Sequence, residues 1–335
     1  MSVVYVSGAT GFIAQHIIKT LIAKNYSVVG SVRSAAKGDG LKQHFGDKFT
    51  YEIVEDIKKP GAFDQSLQKH PEVSVFLHTA SPFHYNGDPE TDLMIPAVEG
   101  TKNALAAIKA HGKNVKRVVI TSSYASIADA LKESDPNATI TEASWNEISW
   151  DDAKQNPING YRGSKTYAEK AAWEFVKTEK PQWDLTCVNP SFVFGPQAFD
   201  EEAKRDHLNT SSEVINKIIN LKPDSEIPPN KGGWVDVRDV AKAHVVAFEK
   251  DEAKGQRLLV NAGRFSCQSM IDILNANVPE LKGKIPVGEP GSDKKAIATL
   301  AKIDNHKTNE LLGFNYIDLK TSVVDTVEQI LQAKL

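Results

Sequence analysis

Short apolar runs of strand character recur along the first part of the chain: Val3–Val6, Ser27–Val32, Tyr51–Val54, Val73–Leu77, Arg117–Thr121 and Leu185–Val188. Between most of them apolar residues return at helical spacing, as at Ile13, Ile17 and Leu21, or Ala97, Leu105 and Ile108. Strand and helix in alternation predict βαβ units with right-handed crossovers, and hence a parallel sheet covered on both faces. After Pro190 the rhythm breaks. Residues from about 194 to 232 are polar and turn-rich, with Gly195-Pro196, Pro223-Asp224, Pro228-Pro229-Asn230 and Gly232-Gly233. A helix over Val237–Phe248 and a strand over Arg257–Val260 are expected next. Residues 264–335 read as mainly helical, with an amphipathic end carried by Val323, Val324, Val327, Ile330 and Leu331.

A chain of 335 residues exceeds the size at which one core keeps growing. The expected fold class is therefore α/β: a Rossmann doubly wound parallel sheet with a smaller, mainly helical C-terminal substrate lobe. The dinucleotide-binding domain is expected over residues 1–193 plus about 234–263, and the lobe over about 194–233 plus 264–335.

Composition narrows the function classes. Apolar residues make up 41% and charged residues 25%, with a formal net charge of -3, so no electrostatic case exists for nucleic acid or an anionic membrane. No apolar run reaches the roughly 18 residues that would span a bilayer. The first strand begins by Val3 and leaves no room for a presequence. Cys187 and Cys267 stand far apart, outside metal or redox spacing, and suit a reducing compartment. The nine histidines form no cluster with Cys, Asp or Glu at metal-ligand spacing, so no metal is expected. His78, at a strand end, reads as a hydrogen-bonded core residue. The cytosol is the expected address.

Two motifs carry chemistry. The first strand runs into Gly8-Ala9-Thr10-Gly11-Phe12-Ile13-Ala14, a glycine turn opening a helix. Glycines there let the backbone bend sharply and approach a pyrophosphate, whose charge rests on the helix N-terminus. At the end of the second strand an NAD site offers an acid to the ribose. This chain has Gly30-Ser31-Val32-Arg33-Ser34, then Lys37, with no acid before Asp39. An Arg can grip a 2′-phosphate with two hydrogen bonds, which favours NADP(H).

The second motif pairs Tyr161 with Lys165. A spacing of four places both on one helix face, where an ammonium favours the phenolate of a Tyr whose ordinary pKa is about 10. Tyr316 also has a Lys four residues on, but it lies in the C-terminal lobe beside Gly313-Phe314. Tyr161 instead starts a helix of strong formers and is flanked by the small residues Gly160, Gly163 and Ser164. Thr121-Ser122-Ser123 closes a strand in the nucleotide half, and Ser123 would donate to a substrate oxygen as charge develops. Ser122 is its rival, because neighbouring strand residues face opposite ways.

These residues carry a resemblance. The glycine turn, Thr121-Ser122-Ser123, Tyr161-Arg162-Gly163-Ser164-Lys165, Asn189-Pro190-Ser191-Phe192-Val193-Phe194-Gly195-Pro196 and Trp234-Val235-Asp236-Val237-Arg238-Asp239-Val240-Ala241-Lys242-Ala243-His244 are similar to those of an extended short-chain dehydrogenase/reductase. The chain most resembles the dihydroflavonol reductase-like branch, and within it the fungal NADPH-dependent aldehyde and ketone reductases acting on methylglyoxal and 3-methylbutanal. Phe12-Ile13-Ala14-Gln15-His16, Leu77-His78-Thr79-Ala80-Ser81-Pro82-Phe83 and Ala168-Glu169-Lys170-Ala171-Ala172-Trp173-Glu174-Phe175 bear the closer likeness, which runs along nearly the whole chain.

Carried over by position, the resemblance implies Ser123, Tyr161 and Lys165 as the catalytic triad. It implies cofactor contacts at Gly8, Ala9, Thr10, Gly11, Phe12, Ile13, Arg33, Lys37, Asp56 and Ile57, and at Tyr161 and Lys165, the latter at the nicotinamide ribose hydroxyls, with Val193 near the nicotinamide and Ser211 close to the cofactor. It implies a substrate pocket lined by Phe83, Tyr124, Ala128 and Ile158, with Phe192 at its edge. Tyr124 stands where plant flavonoid reductases carry a small residue, which points to a smaller apolar carbonyl compound.

The expected activity is NADPH-dependent reduction of small or medium apolar aldehydes, ketones or dicarbonyls to alcohols. The protein would act as a monomer or homodimer, with a small-molecule substrate and no nucleic-acid or membrane partner. An epimerase or dehydratase on the same fold would want NAD and a polar sugar-nucleotide pocket, against Arg33 and the apolar Phe83, Ala128 and Ile158. A dinucleotide-sensing regulator would have no need of Ser123, Tyr161 and Lys165 together.

Overall fold

The computed structural model describes residues 2–81, 87–205 and 208–334. In chain order the strands are β1 (Val3–Ser7), β2 (Ser27–Val32), β3 (Phe49–Ile53), β4 (Val73–His78), β5 (Arg117–Thr121), β6 (Thr139–Ile140), β7 (Asp184–Pro190), β8 (Phe192–Phe194), β9 (Lys231–Asp236), β10 (Arg257–Val260), β11 (Gly263–Ser266) and β12 (Lys302–Ile303). A seven-stranded sheet has the order β10-β7-β5-β4-β1-β2-β3. β1 runs parallel to β2 and β4, β2 to β3, β4 to β5, and β5 to β7. The sheet is of the Rossmann type, and the strand order reverses beside β1. Ligands of such sheets bind outside the carboxyl ends of the strands at that point.

Chain contacts divide the molecule into two units. The first comprises Met1–Asp129, Glu142–Asn189 and Ala241–Leu259; the second comprises Ala130–Thr141, Pro190–Val240 and Val260–Leu335. In the first, β1 and β5 are apolar without alternation, as strands covered on both faces require. Tyr5 and Phe76 stack with ring centroids 4.6 Å apart, and Phe63 meets both edge-on. Trp183, Leu185 and Cys187 extend the same core. Buried aromatic rings in such geometry add to the area they remove from water.

The second unit holds a three-stranded sheet in the order β11-β9-β8 and a two-stranded pair, β12-β6. Most of the regular structure of this unit is helical, and the stretch read as turn-rich over 194–232 also holds helix Thr210–Ile219 and is bounded by the short strands β8 and β9. β8 has three residues, too few to display a period, and β9 contains Gly232 and Gly233, which read as breakers. Gly233 is needed in the strand because a Cβ there would sit 2.4 Å from Asn261 Oδ1. Helices Thr210–Ile219, Cys267–Asn277 and Leu319–Ala333 supply Ile215, Ile271 and Val327 to a core with Phe194, Trp234 and Phe265. Trp234 is a core residue of this unit, stacked on Phe194.

Among the described residues no helix is long and apolar enough to cross a membrane, and no group of His, Cys, Asp and Glu could hold a metal ion.

Candidate active site

The glycine turn follows β1. Gly8 has φ +67°, and a Cβ there would lie 2.9 Å from Ala80 Cα, so only glycine fits its conformation and its contact with the end of β4. Gly8 N–H donates to Ser31 Oγ at 3.0 Å and Gly11 N–H to the Gly8 carbonyl at 2.9 Å. Helix Phe12–Ala23 then begins with Gly11 as its N-cap and Ala14 buried. Gln15 Nε2 ties back to the Thr10 carbonyl at 2.9 Å. Orphan amide donors at such a helix start suit an anion.

Beside this turn lies a cavity of about 430 Å3 lined by Gly8, Thr10, Gly11, Arg33, Lys37, Asp56 and Ile57, together with Thr79, Ala80 and Ser81. Arg33 and Lys37 are exposed and bring two positive charges to one wall; Glu55, Asp56 and Asp92 also line it. Asp56 is turned partly to its own loop, accepting from Lys58 N–H at 2.9 Å. Three of the turn residues expected at the cofactor do not line this cavity. Ala9 is fully buried, Phe12 packs edge-on against His16, and Ile13 lies inside the helix. Asp39, the first acid after the second strand, accepts from Tyr51 Oη at 2.6 Å.

At the carboxyl end of β5, Ser123 caps the short 3-10 turn Tyr124–Ser126, its Oγ accepting from Ala125 N–H at 3.1 Å. The same Oγ accepts from the Tyr161 hydroxyl at 3.2 Å. Tyr161 belongs to the first turns of helix Pro157–Glu179, which Asn156 caps and Pro157 begins. The small neighbours have a steric reason: a Cβ at Gly160 would come 2.6 Å from Pro89 Cβ, and one at Gly163 2.5 Å from Ala153 Cβ. Lys165, one turn on, donates from Nζ to the Thr121 carbonyl at 3.4 Å. Dense packing around its amine lowers its pKa to about 8, with Glu169 pulling the other way.

A small cavity of about 10 Å3 behind this group is lined by His78, Thr121, Ser122, Lys165 and Glu169, and by Ala80 and Ser81. Ala80 and Ser81 thus border both spaces. His78 Nδ1 lies 2.9 Å from Ser7 Oγ, and burial first, then the Lys165 charge, push its pKa down to about 3. His78 is therefore a neutral ring at physiological pH. Thr121 Oγ1 lies 2.7 Å from His244 Nε2.

The rival serine has its own place. Ser122 Oγ donates to Glu169 Oε2 at 2.5 Å, inside the protein and away from Tyr161. Glu169 was not singled out as a site residue by the sequence. The available signal was a charged residue four positions after Lys165 on a face whose neighbours Ala168 and Ala172 are apolar.

Of the residues implied for a substrate pocket, Tyr124 and Ala128 are buried, and Arg162 Nη1 donates to the Ala128 carbonyl at 2.9 Å. Ile158 is 61% exposed. Phe83 lies outside the described residues. In the second unit, Val193 is buried in β8, Phe192 is partly exposed and edge-on to Phe265, and Ser211 lies in the first turn of helix Thr210–Ile219.

Comparison with known proteins follows the same outline. The model of the NAD dependent epimerase/dehydratase family matches residues 4–263. The chain is 54% identical over 98% of both chains to a putative NADPH-dependent methylglyoxal reductase of Candida albicans. It is 50% identical, again over 98% of both, to the NADPH-dependent methylglyoxal reductase GRE2 of Saccharomyces cerevisiae. The crystal structure of Gre2 from Candida albicans in complex with NADPH superposes with a TM-score of 0.97, at 60% identity and full coverage of both chains.

Proposed function

The chain belongs to the NAD dependent epimerase/dehydratase family, as an extended short-chain dehydrogenase/reductase of the fungal methylglyoxal reductase group, and from that premise we propose that it reduces small apolar carbonyl compounds with NADPH. The observation that carries the reading is the hydrogen bond from the Tyr161 hydroxyl to Ser123 Oγ at the carboxyl end of β5. The likeness to two reductases named for methylglyoxal, one group crystallised with NADPH, points the same way.

The residues present fit the cofactor. Gly8, Thr10 and Gly11 of the turn line the cavity at the start of a helix, and Arg33 and Lys37 give a 2′-phosphate two cations where an NAD site would place an acid. NADPH, when bound, supplies a hydride to the carbonyl carbon. Tyr161 gives its hydroxyl proton to the carbonyl oxygen. Ser123 donates to that oxygen and holds it in line with Tyr161, stabilising the negative charge as it grows. Lys165 lends its positive charge, which favours loss of the phenolic proton. The likeness to these reductases points to Tyr124, which directly follows Ser123, as an apolar wall for the substrate. Methylglyoxal, 3-methylbutanal and compounds of that size suit such a wall. Cys187 and Cys267, both buried free thiols, are consistent with a cytosolic enzyme. A monomer or homodimer suffices for this chemistry.

The test is a screen of NADPH consumption over short aldehydes, dicarbonyls and aryl ketones, with NADH in parallel. Stoichiometric NADPH oxidation on short aldehydes or dicarbonyls supports the reading. Turnover of a sugar nucleotide with no net loss of cofactor would replace it with an epimerase.

A further inference from the structure

Glu169 is a buried charge that accepts five hydrogen bonds from described residues, and the proton transfer described above makes no use of it. Its side chain is fully buried on the same helix as Tyr161 and Lys165, one turn beyond Lys165. One carboxylate oxygen, Oε2, accepts from Ser122 Oγ and Ser126 Oγ at 2.5 Å each and from Asn189 Nδ2 at 2.7 Å. The other, Oε1, accepts from Arg257 Nε at 2.6 Å and Trp173 Nε1 at 3.2 Å. Ser122 and Ser126 bracket Ser123 in sequence. Asn189 Nδ2 also reaches the Ser123 carbonyl at 3.3 Å. The carboxylate thus joins the helix carrying the proton donor to the segment carrying the hydroxyl that faces it.

Arg257 closes the arrangement. Only 10% of its side chain is exposed; it lies over the Trp145 ring at 3.7 Å and donates from Nη1 to the Glu142 carbonyl at 2.9 Å. A buried ion pair with this many donors is satisfied as a unit, and loss of one partner strands the other charge. We propose that Glu169 is a positioning residue for the reduction: its charge keeps Lys165 cationic, and its hydrogen bonds fix Ser123 opposite Tyr161. This inference rests on the reductase reading.

The groups facing Lys165 are few. His78 approaches from β4, Tyr161 and Glu169 from its own helix, Thr121 from the end of β5 and Ser122 just beyond it, and Thr101 from helix Ile95–His111. Arg257 acts on Glu169 in turn, and Glu169 on the Cys187 thiol, which burial and the nearby carboxylate push up. His78 is uncharged at neutral pH, so Glu169 is the anion that opposes desolvation of the Lys165 amine. Burial alone would raise the Glu169 carboxyl, yet Arg257 and the serine hydroxyls hold it below its ordinary pKa. It therefore remains charged through the working pH range.

The test compares wild type with E169Q, and with E169Q/R257Q, which removes both buried charges together. Competitive acylation of Lys165 in cofactor-free protein, read by mass spectrometry against pH, gives the amine midpoint. It is expected near 8 in wild type. In both variants it should fall by about one pH unit or more. The alkaline arm of kcat should move down with it, with kcat at pH 8 reduced about tenfold and NADPH affinity within about threefold of wild type. A folded variant with the wild-type Lys165 midpoint overturns the proposal. So does a kcat loss matched by loss of NADPH binding without any shift of the midpoint, or unfolding of both variants, either of which makes Glu169 purely structural. Wild type that oxidises no NADPH with any carbonyl refutes the reductase reading instead, and the labelling midpoint separates the two failures.

Discussion

Tyr161 and Ser123 lie 38 positions apart in sequence, and the hydroxyl of the first donates to Oγ of the second at 3.2 Å. Neither a helix start nor a strand end is reactive alone. The contact brings the two hydroxyls to one spot, where the proposed reduction calls for a proton donor and a hydrogen-bond donor to one oxygen.

The Tyr161→Phe variant keeps the ring and its packing but has no proton to give. NADPH-dependent turnover should fall by about 100- to 10,000-fold, the usual worth of a positioned general acid, while the Kd for NADPH changes little. Steady-state assay with fluorescence titration of NADPH checks this. Wild-type rates in the variant would remove Tyr161 from its role.

Arg33 stands on the cavity wall just beyond β2, exposed, with Lys37 nearby and no acid in the place NAD would require. The Arg33→Ala change deletes a charge-assisted contact to a 2′-phosphate, worth about 1.5–3 kcal/mol. The preference for NADPH over NADH in kcat/KM should narrow by roughly 10- to 100-fold, mainly by a rise in KM for NADPH. An unchanged ratio would move cofactor choice to other residues.

His78 predicts acid sensitivity. In the unfolded chain an ordinary histidine takes up its proton as pH falls through about 6.5. The buried ring stays neutral in the folded protein down to about 3. Across that window the unfolded state binds more protons, so stability is complete above about pH 6.5 and is lost as pH falls. At pH 5 the share from His78 is about 2 kcal/mol. Thermal melts of wild type and His78→Gln at pH 7 and pH 5 should show a smaller acid-induced drop in the variant. Parallel drops would locate the effect in other groups.

The central strands of the large sheet were legible because they are buried and rich in apolar, β-branched residues, as in β1 and β5. Arg257–Val260 begins and ends where the apolar run does. The second unit was less legible for physical reasons. Phe192–Phe194 is shorter than any period, and Lys231–Asp236 hides behind two glycines, of which Gly233 is demanded by the close approach of the Asn261 side chain. Ser123 could not be told from Ser122 by pattern alone, since the alternation of a strand assigns opposite faces without saying which is inward. Glu169 was obscured for a related reason: a charged residue in a helix reads as solvated unless its partners are known, and here they come from β7, the serine turn and Arg257.

Hydride transfer itself is the most direct measurement. The protein would be incubated with NADPH deuterated at the transferable C4 position and 3-methylbutanal, and the product analysed by mass spectrometry. The account predicts one deuterium on the carbinol carbon of 3-methylbutanol and one NADP+ formed for each alcohol. Alcohol without deuterium, or neither alcohol nor cofactor oxidation with this aldehyde or with methylglyoxal, would contradict it.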